Sequence, residues 1–192
     1  MRDSKRSAKA EPPKDPAERA REICLRLLDV RPRTYIELAE ALTKKDIPDD
    51  IIAEVLDRYR EVGMVDDAAF ARAWVSSRHR SKKLSRRALS SELRRKGVDT
   101  ELVDEALEQV DGDSEREAAR ALVEKRLRSM GSVPPDAVFR RLVSMLARKG
   151  YPAGVAVGVV KDILAEQAET AELAEQIDVD AMSGEAEAET ST

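Results

Sequence analysis

Little in this sequence could carry covalent chemistry. Its 192 residues include one cysteine, Cys24, and one histidine, His79. A lone cysteine excludes an internal disulfide, and one residue of each kind is a poor basis for a metal site or a nucleophile–base pair. Cys24 lies in the apolar series Ala20, Cys24, Leu27, Leu28, where a small buried thiol is the ordinary reading. No glycine-rich phosphate loop of either common kind is present. Asp66-Asp67 is the acidic pair that most resembles a catalytic one, but its place after Gly63 and before an apolar run reads as a helix N-cap. No catalytic residue, metal or cofactor is therefore expected. Aromatic residues make up only 3% of the chain, and Phe70 and Trp74 stand at i, i+4 beside Ala71 and Val75. That spacing favours core packing over a base-stacking platform. There is no apolar run of about 18 residues to span a membrane. The N-terminus has charge without the apolar stretch of a secretory signal, so a cytoplasmic protein is expected.

What remains is rich in Ala, Leu, Arg and Glu, a composition that favours helices. Residues 1–14 are polar and aperiodic and read as a disordered tail. Asp15-Pro16 starts a helix with Ala17, Ala20, Cys24 and Leu27 inward, and Thr34-Tyr35-Ile36-Glu37 is a capping box opening a second. After a turn at Ile47–Asp50, a third helix carries Ile51, Ile52, Val55, Leu56 and Tyr59 and stops at Gly63. The cycle recurs with caps at Asp66, at Ser85 and at Asp99 or Thr100, and again from Asp111. Leu42–Pro48 corresponds residue by residue to Leu93–Asp99 and to Leu146–Pro152, at offsets of 51 and 53. In each unit two cations close a helix: Lys44-Lys45, Arg95-Lys96 and Arg148-Lys149. The first and last pairs need only the helix dipole to explain them. The expected fold is all-α. Residues 15–63, 64–111 and 112–165 form three tandem three-helix repeats in an elongated, curved array, and residues 166–192 form a disordered acidic tail.

Charge is segregated along this framework. Arg78 to Gly97 holds nine cations (Arg78, Arg80, Lys82, Lys83, Arg86, Arg87, Arg94, Arg95 and Lys96) against the single acid Glu92. Leu84, Ala88, Leu89 and Leu93 give the same stretch a core-facing side. The net charge of −4 becomes +5 once the nine acids of residues 166–192 are set aside. A basic body implies an anionic partner, and an acidic tail could compete for the same surface. With few aromatics on the basic face, weak contact with nucleic acid through phosphates, without sequence reading, is the expected mode.

Three segments, in order and at the repeat spacing, resemble the RecX family. Gly63-Met-Val-Asp66-Asp67-Ala-Ala-Phe70-Ala71-Arg-Ala-Trp74 is similar to its G-L-x-D-D-x-x-F-A segment. Glu92-Leu93-Arg94-Arg95-Lys96-Gly97-Val98 is similar to E-L-R-x-K-G-I, and Arg148-Lys149-Gly150-Tyr151 stands where the third repeat has R-R-G-F. The resemblance covers roughly Pro16 to Leu164, with Leu84 and Met64-Val65 as mild departures. It implies a non-enzymatic protein that binds RecA and lies in the groove of the RecA–single-stranded DNA filament; a monomer is the expected state. Such a protein restrains ATP hydrolysis, strand exchange and co-protease activity in DNA repair and the SOS response. Gly63, Asp66, Asp67, Phe70, Ala71, Trp74, Glu92, Leu93 and Gly97 would be its structural motif residues, and the nine cations of the middle repeat its filament- or DNA-facing surface.

Two other readings stay open from the residues alone. One is a helical protein that binds DNA directly, without sequence preference and without RecA. The other is a scaffold whose repeats bind a partner protein. Base-reading Asn and Gln are missing from the basic stretch, which argues against a sequence-specific recognition helix.

Overall fold

The computed structural model describes residues 15–131 and 133–189, with side chains described through residue 172. The expected disordered tail at residues 1–14 lies outside the described residues. Among the described residues there are nine helices and no strand: α1 Pro16–Val30, α2 Tyr35–Thr43, α3 Asp49–Glu61, α4 Asp67–Lys82, α5 Arg86–Arg95, α6 Thr100–Leu107, α7 Gly112–Leu127, α8 Pro135–Arg148 and α9 Ala153–Glu189.

The caps read from the sequence set most of these boundaries. Asp15 accepts from the Ala17 amide, with Pro16 at the first helical position. Thr34 and Glu37 satisfy each other's backbone N–H in a complete capping box. Asp66, Ser85, Asp99 and Asp111 accept from Ala69, Ala88, Glu101 and Ser114. Each such contact answers a helix N–H that has no partner inside the helix. Two boundaries differ from expectation. α3 begins inside the turn expected at 47–50, with Pro48 before it and Asp49 and Asp50 favouring its positive end. The second difference is at the C-terminus. α9 does not end near Leu164; its helical backbone runs on to Glu189, where the sequence reading placed a disordered tail from Glu166. Ala, Glu and Gln dominate that stretch and no proline interrupts it, so extending an existing helix costs little.

The chain divides into two compact units. One holds residues up to Val75 together with Glu92–Ala106, and the other holds Ser76–Ser91 together with residues from Leu107 on. In the first, α1, α2 and α3 pack on one another around Ala20, Cys24, Leu38, Leu42, Val55 and Leu56. Burial pushes the Cys24 thiol up to about 11, which leaves it protonated and inert. In the second, α7, α8 and α9 pack around Ala119, Val123, Leu142, Leu146, Val160 and Ile163. The middle repeat is thus shared out. Its α4 start, α5 end and α6 belong to the first unit, and the α4–α5 turn belongs to the second.

Candidate anion-binding interface

In the second unit the α4–α5 turn is anchored from several sides. Lys83 adopts a left-handed conformation (φ 51°), and its carbonyl accepts from the Tyr151 hydroxyl at 2.9 Å. The Lys82 carbonyl accepts from Lys149 Nζ at 2.7 Å. His79 Nδ1 lies 3.0 Å from the Leu84 carbonyl, which ties the end of α4 to the residue before Ser85. Around this turn Arg80, Lys82 and Arg87 are exposed, while Arg78, Lys83 and Arg86 are half-buried. Arg80 donates to Ser76 Oγ on its own helix. Arg86 is engaged inside the unit, because its guanidinium donates to the Val110 carbonyl. In the first unit Arg94 and Arg95 are exposed, and Lys96 turns inward. Lys96 Nζ sits 2.8 Å from Glu37 Oε1 and 4.4 Å from the Trp74 ring centre. Of the nine cations singled out in the sequence, Arg86 and Lys96 are therefore occupied by the fold. Exposed on the surface are Arg80, Lys82 and Arg87 in one unit and Arg94 and Arg95 in the other.

Trp74 is engaged by its neighbours rather than held out for a base. Phe70 stacks on it at 5.6 Å with an 18° interplanar angle, Lys96 covers it, and its indole N–H donates to Glu92 at 2.9 Å. Phe70 itself is buried, as core packing requires.

Each unit contains the same joint, built from the start of one repeat's second helix and the next repeat. In the first unit, buried Thr34 donates through Oγ1 to the Lys96 carbonyl at 2.6 Å, and the Tyr35 amide donates to Asp67 Oδ1 at 2.9 Å. In the second, the Ser85 amide donates to the Lys149 carbonyl at 3.2 Å, and the Arg86 amide donates to Glu115 Oε1 at 2.8 Å. In both, a carboxylate from the next repeat's first helix satisfies an unpaired N–H at a helix start and favours its dipole. Gly97 and Gly150 close the joints in left-handed conformations (φ 75° and 89°). A Cβ at Gly97 would fall within 3.0 Å of Ile36, and one at Gly150 within 3.0 Å of Ser85 and Ala88.

Two carboxylates of the first joint feel this arrangement in opposite senses. Burial alone would raise the Glu37 carboxyl. Hydrogen bonds from Arg31, Lys96 and the Thr34 amide outweigh it and hold the group down to about 2. For Asp67 burial prevails over the Tyr35 hydrogen bond, and its carboxyl is raised.

Comparison with known proteins decides the family. Three domain families match in chain order: RecX, first three-helix domain, at residues 20–58; RecX, second three-helix domain, at 66–107; and RecX, third three-helix domain, at 113–159. The chain belongs to the RecX family. It is 52% identical over 169 residues to the Regulatory protein RecX of Streptomyces coelicolor, an alignment covering 88% of this chain and 90% of that one. It is 47% identical over 164 residues to the protein of that name from Mycolicibacterium smegmatis, covering 83% and 87%. The crystal structure of RecX from Lactobacillus salivarius superposes with a TM-score of 0.69 at 19% identity, covering 77% of this chain and 96% of that one, and so shares the fold. RecX is a family of regulatory proteins, not enzymes. Among the described residues no group of three His, Cys, Asp or Glu could hold a metal ion, and no helix is long and apolar enough to cross a membrane.

The RecX motif residues do structural work here. Gly63 turns the chain at φ 72°, Asp66 caps α4, Asp67 and Gly97 build the first joint, and Glu92 fixes Trp74. Phe70, Ala71 and Leu93 are buried. Sequence reading missed one further basic feature. Arg19, Arg26 and Lys45 surround a groove of about 390 Å³ floored by Ile23 and Leu27 in the first unit. The i, i+7 spacing of Arg19 and Arg26 on α1 was the available signal.

Proposed function

We propose that this RecX-family chain acts in the cytoplasm as a monomer that binds the RecA–single-stranded DNA filament and restrains ATP hydrolysis, strand exchange and co-protease activity, so tempering DNA repair and SOS induction. Membership of the family carries the reading. The exposed cations Arg80, Lys82 and Arg87 on an anchored turn support phosphate contact as part of the binding. A rigid turn loses little side-chain and backbone freedom on contact, so each cation holds its position at low entropic cost. Arg94 and Arg95 supply further exposed charge. No cofactor or metal is needed for this role.

The second reading is sequence-nonspecific binding to nucleic acid without RecA. It is favoured by the same exposed cations and by the engagement of Trp74 with Phe70, Lys96 and Glu92, both of which suit phosphate contact alone. One experiment separates the two. Arg80→Glu combined with Arg87→Glu should weaken binding to RecA-coated single-stranded DNA more than tenfold, flatten its salt dependence and leave melting unchanged. Arg86 is left out because its hydrogen bond to Val110 belongs to the fold. Undiminished filament binding by the double variant would remove the phosphate-contact part of the proposal. Equal binding to naked and RecA-coated DNA by the parent chain would favour the second reading.

A further inference from the structure

The first unit carries an open cleft of about 740 Å³ whose charge is opposite to that of the basic turn. Ile36, Ala68 and Leu102 give it apolar walls, and Ile36 keeps 42% of its surface exposed there. Val65 and Gly63 also line it. With part-exposed Ala68 and Leu102 beside it, Ile36 forms an apolar recess rather than an isolated exposed side chain. The charged lining is Asp66, Asp67, Asp99 and Glu101 against Arg60 alone. Arg60 stacks its guanidinium 4.3 Å from the Tyr35 ring centre and offsets part of the charge of Asp67, which leaves Asp66, Asp99 and Glu101 as the unbalanced carboxylates. Three of the carboxylates have cap or joint duties through one oxygen, to the Ala69, Tyr35 and Glu101 amides. Those duties fix their positions and leave their charge facing the cleft, and they account for none of the apolar exposure. Four carboxylates against one guanidinium disfavour a phosphate backbone and favour a cation.

We propose that this cleft docks a protein segment carrying one aliphatic side chain flanked by lysine or arginine. The aliphatic group fills the space between Ile36, Ala68 and Leu102, and the flanking cations meet Glu101 and Asp99 at the rim. The inference deepens the filament reading, on which it rests for the identity of the protein that supplies the segment. It divides the labour between two surfaces: exposed cations for phosphate, and an acidic, apolar cleft for polypeptide. A fixed cleft selects a short basic segment by shape at its centre and by charge at its edge.

The test uses the full chain, isotopically labelled, with a synthetic Arg-Lys-Leu-Lys-Arg peptide followed by NMR. Saturable shifts of the Ala68, Gly97 and Leu102 amides are expected, and they should be lost in Glu101→Arg and in Ala68→Trp, with melting within a few degrees of the parent. An all-acidic peptide of the same length should leave these amides in place. No shift at millimolar basic peptide, shifts elsewhere only, or the same response to a short oligothymidylate would overturn the proposal. The two variants are then compared with the parent on RecA-coated and naked single-stranded DNA. A tenfold loss on the coated DNA alone identifies the segment as RecA's. If the parent itself ignores the coated DNA, the filament reading fails while the peptide result still decides the cleft.

Discussion

The glycines that end the second helices show how one atom can separate a turn from a joint. Asp46, Gly97 and Gly150 occupy equivalent places and are all left-handed, at φ 57°, 75° and 89°. Asp46 belongs to the first repeat, where no earlier helix start presses against it, and a side chain is accepted there. Gly97 and Gly150 lie against Ile36 and against Ser85 and Ala88 with no room for a Cβ. Gly97→Ala therefore combines a left-handed penalty with overpacking and should cost roughly 2–4 kcal/mol of stability. Gly63→Ala, at φ 72° in open space, should cost only about 1 kcal/mol. Denaturant titration of the two variants checks the difference; equal losses would mean that the close approach contributes nothing. Glu37 gives a pH test at the same joint. Its folded carboxyl sits near 2, below its ordinary value of 4.5, so its contribution is complete above pH 4.5 and is lost as pH falls toward 2. The group is largely shielded, with 18% of its side chain exposed, and roughly 2 kcal/mol is at stake. Glu37→Gln should lower stability at pH 7 and flatten the acid limb of the melting curve between those two values.

At the scale of elements, the α4–α5 turn is held by backbone carbonyls that accept from Lys149 and Tyr151, with Lys83 in a conformation that suits glycine. Lys83→Gly keeps both carbonyls in place and relieves the strain, while freeing the unfolded chain. The net effect should lie between neutral and about 1 kcal/mol stabilising, where an ordinary Lys→Gly change in a helix destabilises. Calorimetry showing a loss above that range would mean that the left-handed turn is not strained. Most element boundaries were legible in the sequence because they depend on residues three apart: Thr34 with Glu37, Ser85 with Ala88, Asp111 with Ser114. The repeat offset also carried the joint positions, since Lys96-Gly97 and Lys149-Gly150 align. The partners at those joints were not legible, because the Tyr35–Asp67 and Arg86–Glu115 contacts join positions about thirty residues apart with no local pattern. For the same reason charge counting could not tell inward Lys96 and Arg86 from outward Arg94 and Arg87. The acidic cleft was hidden in the same way, since Ile36 and Leu102 line one cleft only once α2 and α6 are folded.

At the scale of the whole molecule, three sequence repeats become two compact units, each holding one joint together with part of the middle repeat. Repeat proteins draw stability from the interfaces between neighbours as well as from each repeat. Charge follows another division: exposed cations around the α4–α5 turn and at the end of α5, carboxylates in the cleft of the first unit, and the acidic stretch of α9, whose first member Glu166 is held by Arg120 at 2.7 Å. On the reading proposed above, the exposed cations meet phosphate and the cleft meets polypeptide. The central claim is that the chain acts on RecA assembled on DNA, and the RecA ATPase on single-stranded DNA tests it most directly. With this protein titrated well below the RecA concentration, ATP hydrolysis should fall, by capping or propagated disruption of filaments rather than by occupying DNA. Undiminished hydrolysis at equimolar protein with the cognate RecA would contradict the claim.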